Sequence, residues 1–214
     1  MKKIILLLIL AAWANIAFTQ DDSYYNNDEM QTIFTKKGSN GAYGAFSLGY
    51  SQIDGKDAFV TGARGAFIIN HSLAIGIGGY GFINDLDYDH YGFNNHDNGF
   101  SLAGGYGGFF IEPIVAPMRP VHVSFPILIG MGAISLVDNN GGWYDYDPFY
   151  NLDTDVFLVI EPAVEVEFNL LKFMRAAASV SYRLTSDIEL DDSDIKKDVL
   201  NGLNMALVFK FGKF

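Results

Sequence analysis

The chain of 214 residues contains no cysteine, so it forms no disulfide and carries no thiol for catalysis, metal binding or lipid attachment. It is also poor in basic residues, with 14 Lys and Arg against 25 Asp and Glu and a formal net charge of −11. Nucleic-acid binding depends on basic contacts to phosphates. The composition therefore excludes thiol chemistry and predicts no nucleic-acid partner.

The N-terminus has the pattern of an export signal. Lys2 and Lys3 precede an apolar run over residues 4–12, which is shorter than the roughly 20 residues that a membrane-spanning helix needs. We therefore interpret residues 1–19 as a cleaved secretory signal rather than a retained anchor. Cleavage removes the two lysines and changes the formal charge from −11 to −13. Residues 20–40 are polar and acidic, and we predict that they form a periplasmic extension.

Charge is also absent from three long stretches further along the chain. Residues 65–84, 98–111 and 120–137 contain no Asp, Glu, Lys or Arg. A soluble barrel of the lipocalin kind needs charge on its water-facing surface, and these stretches offer none on either face. Proline and glycine within 120–137 disfavour the alternative of a membrane helix there. Strands of a β-barrel in a lipid bilayer explain these charge-free stretches better than a soluble barrel or a membrane helix does.

The rest of the chain predicts eight strands in residues 41–214, separated by connections of alternating length. The strands are expected at about 42–53, 57–69, 72–84, 98–112, 120–137, 154–169, 172–186 and 199–211. Short connections alternate with the long ones at 85–97, 138–153 and 187–198, which is typical of outer-membrane barrels with short periplasmic turns. We predict an all-β fold, an eight-stranded antiparallel up-and-down transmembrane β-barrel with both termini in the periplasm.

Alternation within the last three strands predicts which side chains face inward. On the outer face of the last strand we expect Leu203, Met205, Leu207, Phe209 and Phe211, with Lys210 on the inner face. In strands six and seven, one parity is apolar and the other carries charges. The predicted charge network of the barrel interior comprises Glu161, Glu165, Glu167, Arg175, Arg183, Arg64 and Lys210.

A three-residue turn at 170–172 would set the register of strands six and seven. Facing residue numbers would add up to 342, which places Glu167 opposite Arg175 and Glu161 opposite Ser181. Such a network suits two roles. It fills the interior of an eight-stranded barrel as a charge-paired plug, or it lines a narrow conductance path or proton relay. We favour the plug, because buried ions persist when they are paired.

Two motifs suggest chemistry. His122 and Ser124 share one face of strand five, and Glu112 ends the strand before it. A histidine that activates a serine and is oriented by a carboxylate is the arrangement that acyl transfer requires. Small outer-membrane barrels that deacylate lipid A carry a similar pair, so lipid A deacylation is the enzymatic alternative. In our topology, however, the pair lies at the periplasmic end.

The second motif is acidic. Asp85, Asp87 and Asp89 alternate as at the start of a calcium loop, but His90 and His96 replace the glycine and glutamate that the loop needs. A solvated acidic loop is the main interpretation, and weak divalent-cation binding is the alternative. Aromatic residues are mixed with acids in the long connections. We therefore treat 85–97, 138–153 and 187–198 as candidate sites for an extracellular partner.

The ending Phe209-Lys210-Phe211-Gly212-Lys213-Phe214, with the signal and strand pattern, resembles the OmpA/OmpX-type small outer-membrane barrels. Two glycine- and proline-containing strings, at 104–108 and 120–126, are similar to barrels of Bacteroidota-like bacteria. The resemblance implies outer-membrane residence among lipid and lipopolysaccharide, recognition by the barrel-assembly machinery through residues 203–214, and no cofactor. We expect a non-enzymatic envelope or surface protein. A soluble lipocalin-like periplasmic carrier is the third hypothesis.

Overall fold

The computed structural model describes residues 40–53, 55–84, 88–89, 99–138, 154–190 and 196–214. The predicted signal and nearly all of the N-terminal extension lie outside these residues, so both stay predictions. Most of the connections 85–97 and 138–153 also lie outside them. Among the described residues, no helix is long and apolar enough to span a membrane.

Ten strand segments in the described residues form one closed antiparallel sheet. They are β1 (Gly41–Ile53), β2 (Lys56–Ile69), β3 (Leu73–Asn84), β4 (Tyr88–Asp89), β5 (Gly99–Val115), β6 (Val121–Ser124), β7 (Ile127–Asp138), β8 (Thr154–Leu171), β9 (Met174–Thr185) and β10 (Gly202–Lys213). β3 and β4 both pair with β5, while β6 and β7 both lie between β5 and β8. β10 pairs with β1 and closes the ring. The sheet therefore has eight strand positions, and the predicted up-and-down barrel is confirmed.

The strand predicted over 120–137 is interrupted at Phe125 and Pro126. Proline has no backbone N–H to donate to a neighbouring strand. Backbone hydrogen bonds of the residues beside the break join the two neighbouring strands there. The Phe125 amide donates to the Pro113 carbonyl at 2.9 Å, and the Ala163 amide donates to the Pro126 carbonyl at 2.8 Å. The break thus leaves the wall continuous.

Short turns at one end of the barrel connect β2 to β3, β5 to β6 and β8 to β9. Asn70 and His71 have positive φ angles of 51° and 59°, as a tight hairpin with two left-handed central residues requires. The long connections lie at the opposite end, where Gly55 forms the one short turn with φ of 73°. We refer to these as the short-turn end and the long-loop end.

Side chains alternate between the inside and the outside of the wall as predicted. In β8, Phe157, Val159, Glu161, Glu165 and Glu167 are buried, while Leu158, Ile160, Val164 and Val166 between them are exposed. Among the described residues, no charged side chain lies on the outer face except near strand ends. The exposed large apolar residues of β8, β9 and β10 are Val156, Leu158, Ile160, Val164, Val166, Phe168, Leu170, Leu171, Val180, Tyr182, Leu184, Leu203, Met205, Leu207 and Phe211.

Candidate functional site

The interior of the barrel, the lumen, holds the buried charges of the described residues. Four are carboxylates and four are cations, so the lumen is formally neutral when its histidine is neutral. They are Glu112, Glu161, Glu165, Glu167, Arg64, Arg175, Arg183 and Lys210, with His122 beside them. All seven residues of the predicted charge network lie in the lumen with Glu112, although Glu161 and Arg183 belong to a second cluster described below. A buried charge costs several kcal/mol unless it is paired, so the contacts among them decide whether the lumen can exist.

Lys210 lies at the centre of the network. Its Nζ donates to Glu112, lies 2.6 Å from Glu167 Oε1 and lies 2.9 Å from Glu165 Oε2. Oxygens of these three carboxylates lie within 4.8 Å of one another, a grouping that elsewhere would suit a metal cation. Here the ammonium group of Lys210 lies among them, and Arg64 on Glu165 and Arg175 on Glu167 supply the remaining positive charge.

Arg64 crosses the lumen from β2 to β8. Its Nη2 lies 2.8 Å and 2.6 Å from the two oxygens of Glu165, and its guanidinium lies 5.4 Å from the centre of the Phe110 ring. Arg64 and Lys210 therefore share Glu165. Charge-assisted bonds of this kind are among the strongest hydrogen bonds in proteins, so they tie opposite walls of the barrel together.

The last residue closes the short-turn end. Phe214 follows directly on β10, which runs to Lys213. Its ring stacks on Tyr43 at 6.0 Å and lies 4.0 Å from the guanidinium of Arg175. Tyr43 in turn donates from its hydroxyl to Glu112. The C-terminal aromatic ring is thus part of the lumen network, which sequence alternation alone did not show.

The predicted register of β8 and β9 is wrong by two residues. Facing numbers add up to 344: Glu167 lies opposite Ala177, and Asn169 lies opposite Arg175. The turn contains only residues 172–173, and the pairing is irregular between Asn169 and Leu171. Because a two-residue shift preserves parity, Arg175 still faces inward and reaches Glu167 diagonally, with its Nη1 3.4 Å from Oε2.

The proposed catalytic pair has a different partner from the one expected. β6 lies beside β8, which places His122 opposite Glu167 and Ser124 opposite Glu165. His122 Nε2 lies 3.0 Å from Glu167 Oε2, and Ser124 Oγ donates to Glu167 Oε1 at 2.5 Å. Glu112 contacts Tyr43 and Lys210 instead. His122 Nε2 thus contacts Glu167 and Arg175, and Ser124 donates to Glu167. This differs from the histidine-to-serine hydrogen bond that the acyl-transfer arrangement requires.

A second polar cluster fills the long-loop half of the lumen. Ser181 donates to Glu161 Oε1, and the Asn204 side-chain amide donates to the same oxygen at 3.3 Å. Glu161 was expected opposite Ser181, but the residue opposite is Ala163, so this bond is also diagonal. Arg183 lies above the cluster, 5.4 Å from the ring centre of Phe82.

The connection between β9 and β10, where a long loop was predicted at 187–198, covers the long-loop end where it is described. Ile188, Val199 and Leu200 are buried, and the Leu200 carbonyl accepts from Arg183 Nε at 2.8 Å. The Ile188 amide donates to the Lys197 carbonyl at 2.9 Å and brings the two arms of the segment together. Large apolar residues such as Ile188, Val199 and Leu200, in a connection rich in acidic residues, were the sequence signal for this cover.

Between the two clusters lies a cavity of about 30 Å³. Arg64, Glu161 and Asn204 line it, and each has one buried polar atom without a protein partner: Nε, Oε2 and Oδ1 respectively. This volume suits one or two water molecules, which can serve both donors and acceptors. It does not suit a lipid chain or a sugar.

The acidic calcium-like motif is untested. Asp85 and Asp87 lie outside the described residues, and Asp89 falls in the two-residue strand β4. Divalent-cation binding there stays a prediction, as do the partner sites in 85–97 and 138–153.

Comparison with known proteins identifies the fold. Neisserial surface protein A has a TM-score of 0.53 and 10% identity, over 82% of this chain and 97% of that protein. Ail, the attachment invasion locus protein of Yersinia pestis, has a TM-score of 0.46 and 12% identity, over 82% and 99%. A major outer membrane protein from Thermus thermophilus has 0.47 and 16%, over 80% and 98%. No family model and no curated protein matches the chain. At 10% identity, the likeness to the neisserial protein shows a shared barrel fold.

We expect Arg64 and Glu165 to be strongly coupled in stability. Arg64→Met or Glu165→Gln alone leaves a buried charge uncompensated and should cost about 3–5 kcal/mol, while the double variant should cost less than the sum. The measurement is a double-mutant cycle on denaturant unfolding in detergent micelles.

The matched control for this cycle is the exposed pair Lys197 and Glu189, whose side chains are 61% and 71% exposed. Lys197→Met and Glu189→Gln should show no measurable coupling. Additive effects for Arg64 and Glu165 would mean that their pairing does not stabilise the fold.

Proposed function

We propose that this protein is a non-enzymatic outer-membrane barrel with a side-chain-filled lumen and acidic, aromatic loops on the cell surface. It would serve envelope structure or surface interaction. The observation that carries the proposal is the inverted wall: apolar side chains point outward, and paired charges point inward. A soluble barrel has the opposite arrangement.

The outer face supports a location in lipid. Phe67 and Phe109 are 74% and 75% exposed, and Ile77 and Leu158 are 62% and 63% exposed. A continuous apolar surface of this kind would drive aggregation in water. The strands β1 and β8 contain 13 and 18 residues, and about 9–11 tilted residues span a bilayer. These features argue against the soluble carrier.

The packing of side chains in the lumen supports the proposal that the barrel is closed and non-catalytic. Phe214 and Arg175 fill the short-turn end, and Leu200 and Arg183 fill the long-loop end. The cavity between them holds only one or two waters. Neither a lipid A acyl chain nor a hydrated ion has room to reach Ser124, so deacylation and conductance are both disfavoured.

The direction of insertion follows from the export signal and the connections. We place both termini and the short turns in the periplasm, and the long acidic loops outside with lipopolysaccharide. On the outer face of β10, Phe209 and Phe211 stack on Phe46 with ring centres 5.1 Å and 6.1 Å apart. Residues 203–214 thus present the aromatic C-terminal strand that we propose the barrel-assembly machinery recognises.

The first test of the proposal is fractionation. The mature protein should partition with outer membranes and migrate differently on gels before and after boiling, since a closed barrel resists detergent until heated. Recovery in the periplasmic fraction without detergent would contradict the membrane location.

A second test places a charge on the proposed lipid face. Val164→Arg, in the middle of β8, should lower the free energy of unfolding in phospholipid vesicles by roughly 2–4 kcal/mol. Val121→Arg, at the short-turn end of the wall, is the matched control and should cost about 0–1 kcal/mol. Both valines are about half exposed, at 47% and 50%. Equal costs would contradict a bilayer around this face.

A third test concerns the lumen. Because paired side chains fill both ends, the native barrel in planar bilayers should pass no measurable ion current. Insertion is verified separately by protection of the barrel from protease. Reproducible single-channel steps from inserted, native protein would show that the lumen is a path rather than a plug.

A further inference from the structure

Three exposed cations mark the short-turn end of the barrel, and together we call them the basic rim: Arg119, Lys172 and Lys213. Arg119 lies in the turn between β5 and β6, Lys172 in the turn between β8 and β9, and Lys213 at the end of β10. The residues of these turns and of the C-terminus, 116–120, 172–173 and 212–214, include no Asp or Glu.

Backbone and side-chain bonds hold the three cations on one arc of the barrel. The Asn169 side-chain amide donates to the Arg119 carbonyl at 2.7 Å, which fixes the turn that carries Arg119 against β8. The Gly212 amide donates to the Phe173 carbonyl at 2.9 Å, which fixes the turn that carries Lys172 against the end of β10. The basic rim is therefore a preorganised set of charges.

The basic rim has no side-chain carboxylate paired with it in the part of the chain that the structure describes. No carboxylate there forms an ion pair with any of its three cations. The carboxylates nearest to this end, Glu112 and Glu167, are fully buried and paired with Lys210. Because the charges of the lumen cancel one another, none of its carboxylates neutralises the basic rim.

Exposed apolar side chains lie next to the cations in the sequence. Met118 precedes Arg119, while Leu171 and Phe173 flank Lys172, and the three are 72%, 53% and 58% exposed. Side chains of this kind enter the boundary between hydrocarbon and headgroups, and neighbouring cations then lie at headgroup level. The opposite end differs, since its described exposed residues include Asp57, Asp187, Glu189 and Asp198.

We propose that the basic rim binds the phosphate groups of anionic phospholipids in the leaflet at the short-turn end, with Met118, Leu171 and Phe173 inserted among the acyl chains. Phosphates supply the negative charge that the rim lacks, and acyl chains cover its apolar residues. This inference rests on the proposed membrane location. It goes beyond that location because it assigns a lipid charge class to one end of the barrel.

The test measures lipid selectivity in nanodiscs. The mature, folded protein is placed in phosphatidylcholine nanodiscs that contain a small amount of spin-labelled phosphatidylglycerol or spin-labelled phosphatidylcholine. The immobilised fraction reports lipid held at the protein surface. A cation near anionic lipid contributes roughly a fivefold preference, so native protein should select phosphatidylglycerol by about tenfold or more, and added salt should reduce the preference.

Two variants locate the selectivity. Arg119→Gln, Lys172→Gln and Lys213→Gln together should abolish it, while Lys196→Gln with Lys197→Gln at the long-loop end should leave it unchanged. Heat-modifiable migration shows that each variant is folded. Absence of selectivity in native protein, or equal loss in both variants, would overturn the proposal.

Peptidoglycan is the competing anionic partner at this end. If the triple rim variant kept its phosphatidylglycerol selectivity but no longer bound purified sacculi, the basic rim would be a cell-wall contact and the lipid proposal would be wrong. The nanodisc assay uses protein already in a bilayer. A negative lipid result therefore leaves the membrane location standing, whereas recovery of the protein from the soluble periplasm would remove it.

Discussion

The ion pairing of Lys210 with three carboxylates is the interaction on which the barrel depends. Glu112, Glu165 and Glu167 come from β5 and β8, and all three side chains are almost completely buried. Without a cation among them, mutual repulsion and lost hydration would destabilise the closed wall by several kcal/mol. Lys210 is also on the last strand, so the network is completed only when β10 closes the ring.

Because the lumen is formally neutral, a chain with few basic residues can still form a barrel whose charges point inward and whose outer face is apolar. Each buried cation has a carboxylate, a carbonyl or an aromatic ring beside it. Two of these cations are arginines that lie at the two ends of the lumen. Arg175 stacks on Phe214 at the short-turn end, and Arg183 donates to the Leu200 carbonyl at the long-loop end. The outer face can then be apolar throughout, because polar groups are satisfied inside rather than by solvent.

Parity could be predicted from the sequence, whereas register could not. Alternation is local, so the inward facing of Glu161, Glu165 and Glu167 follows from neighbouring residues alone. Register depends on the turn, which is 172–173 rather than 170–172, and the irregular pairing between Asn169 and Leu171 then brings the facing sum to 344 instead of 342. Contacts between strands that are distant along the chain could not be predicted either. Nothing local to His122 and Ser124 indicated that Glu167 would bind both, so their spacing suggested catalysis where the structure has a buried hydrogen-bond network.

The lumen contributes no net charge, so the charge at each end of the barrel is set by the exposed residues of that end. With its interior charges cancelled, the described short-turn end is basic through Arg119, Lys172 and Lys213, while the described long-loop end exposes several carboxylates. Charges at rim positions interact with the headgroups on their own side and are screened over about a Debye length. In the proposed membrane location, each end would therefore interact with the leaflet on its own side independently of the other end. Substitutions at the rim can change lipid preference without disturbing the lumen, because no rim cation takes part in the interior ion pairs.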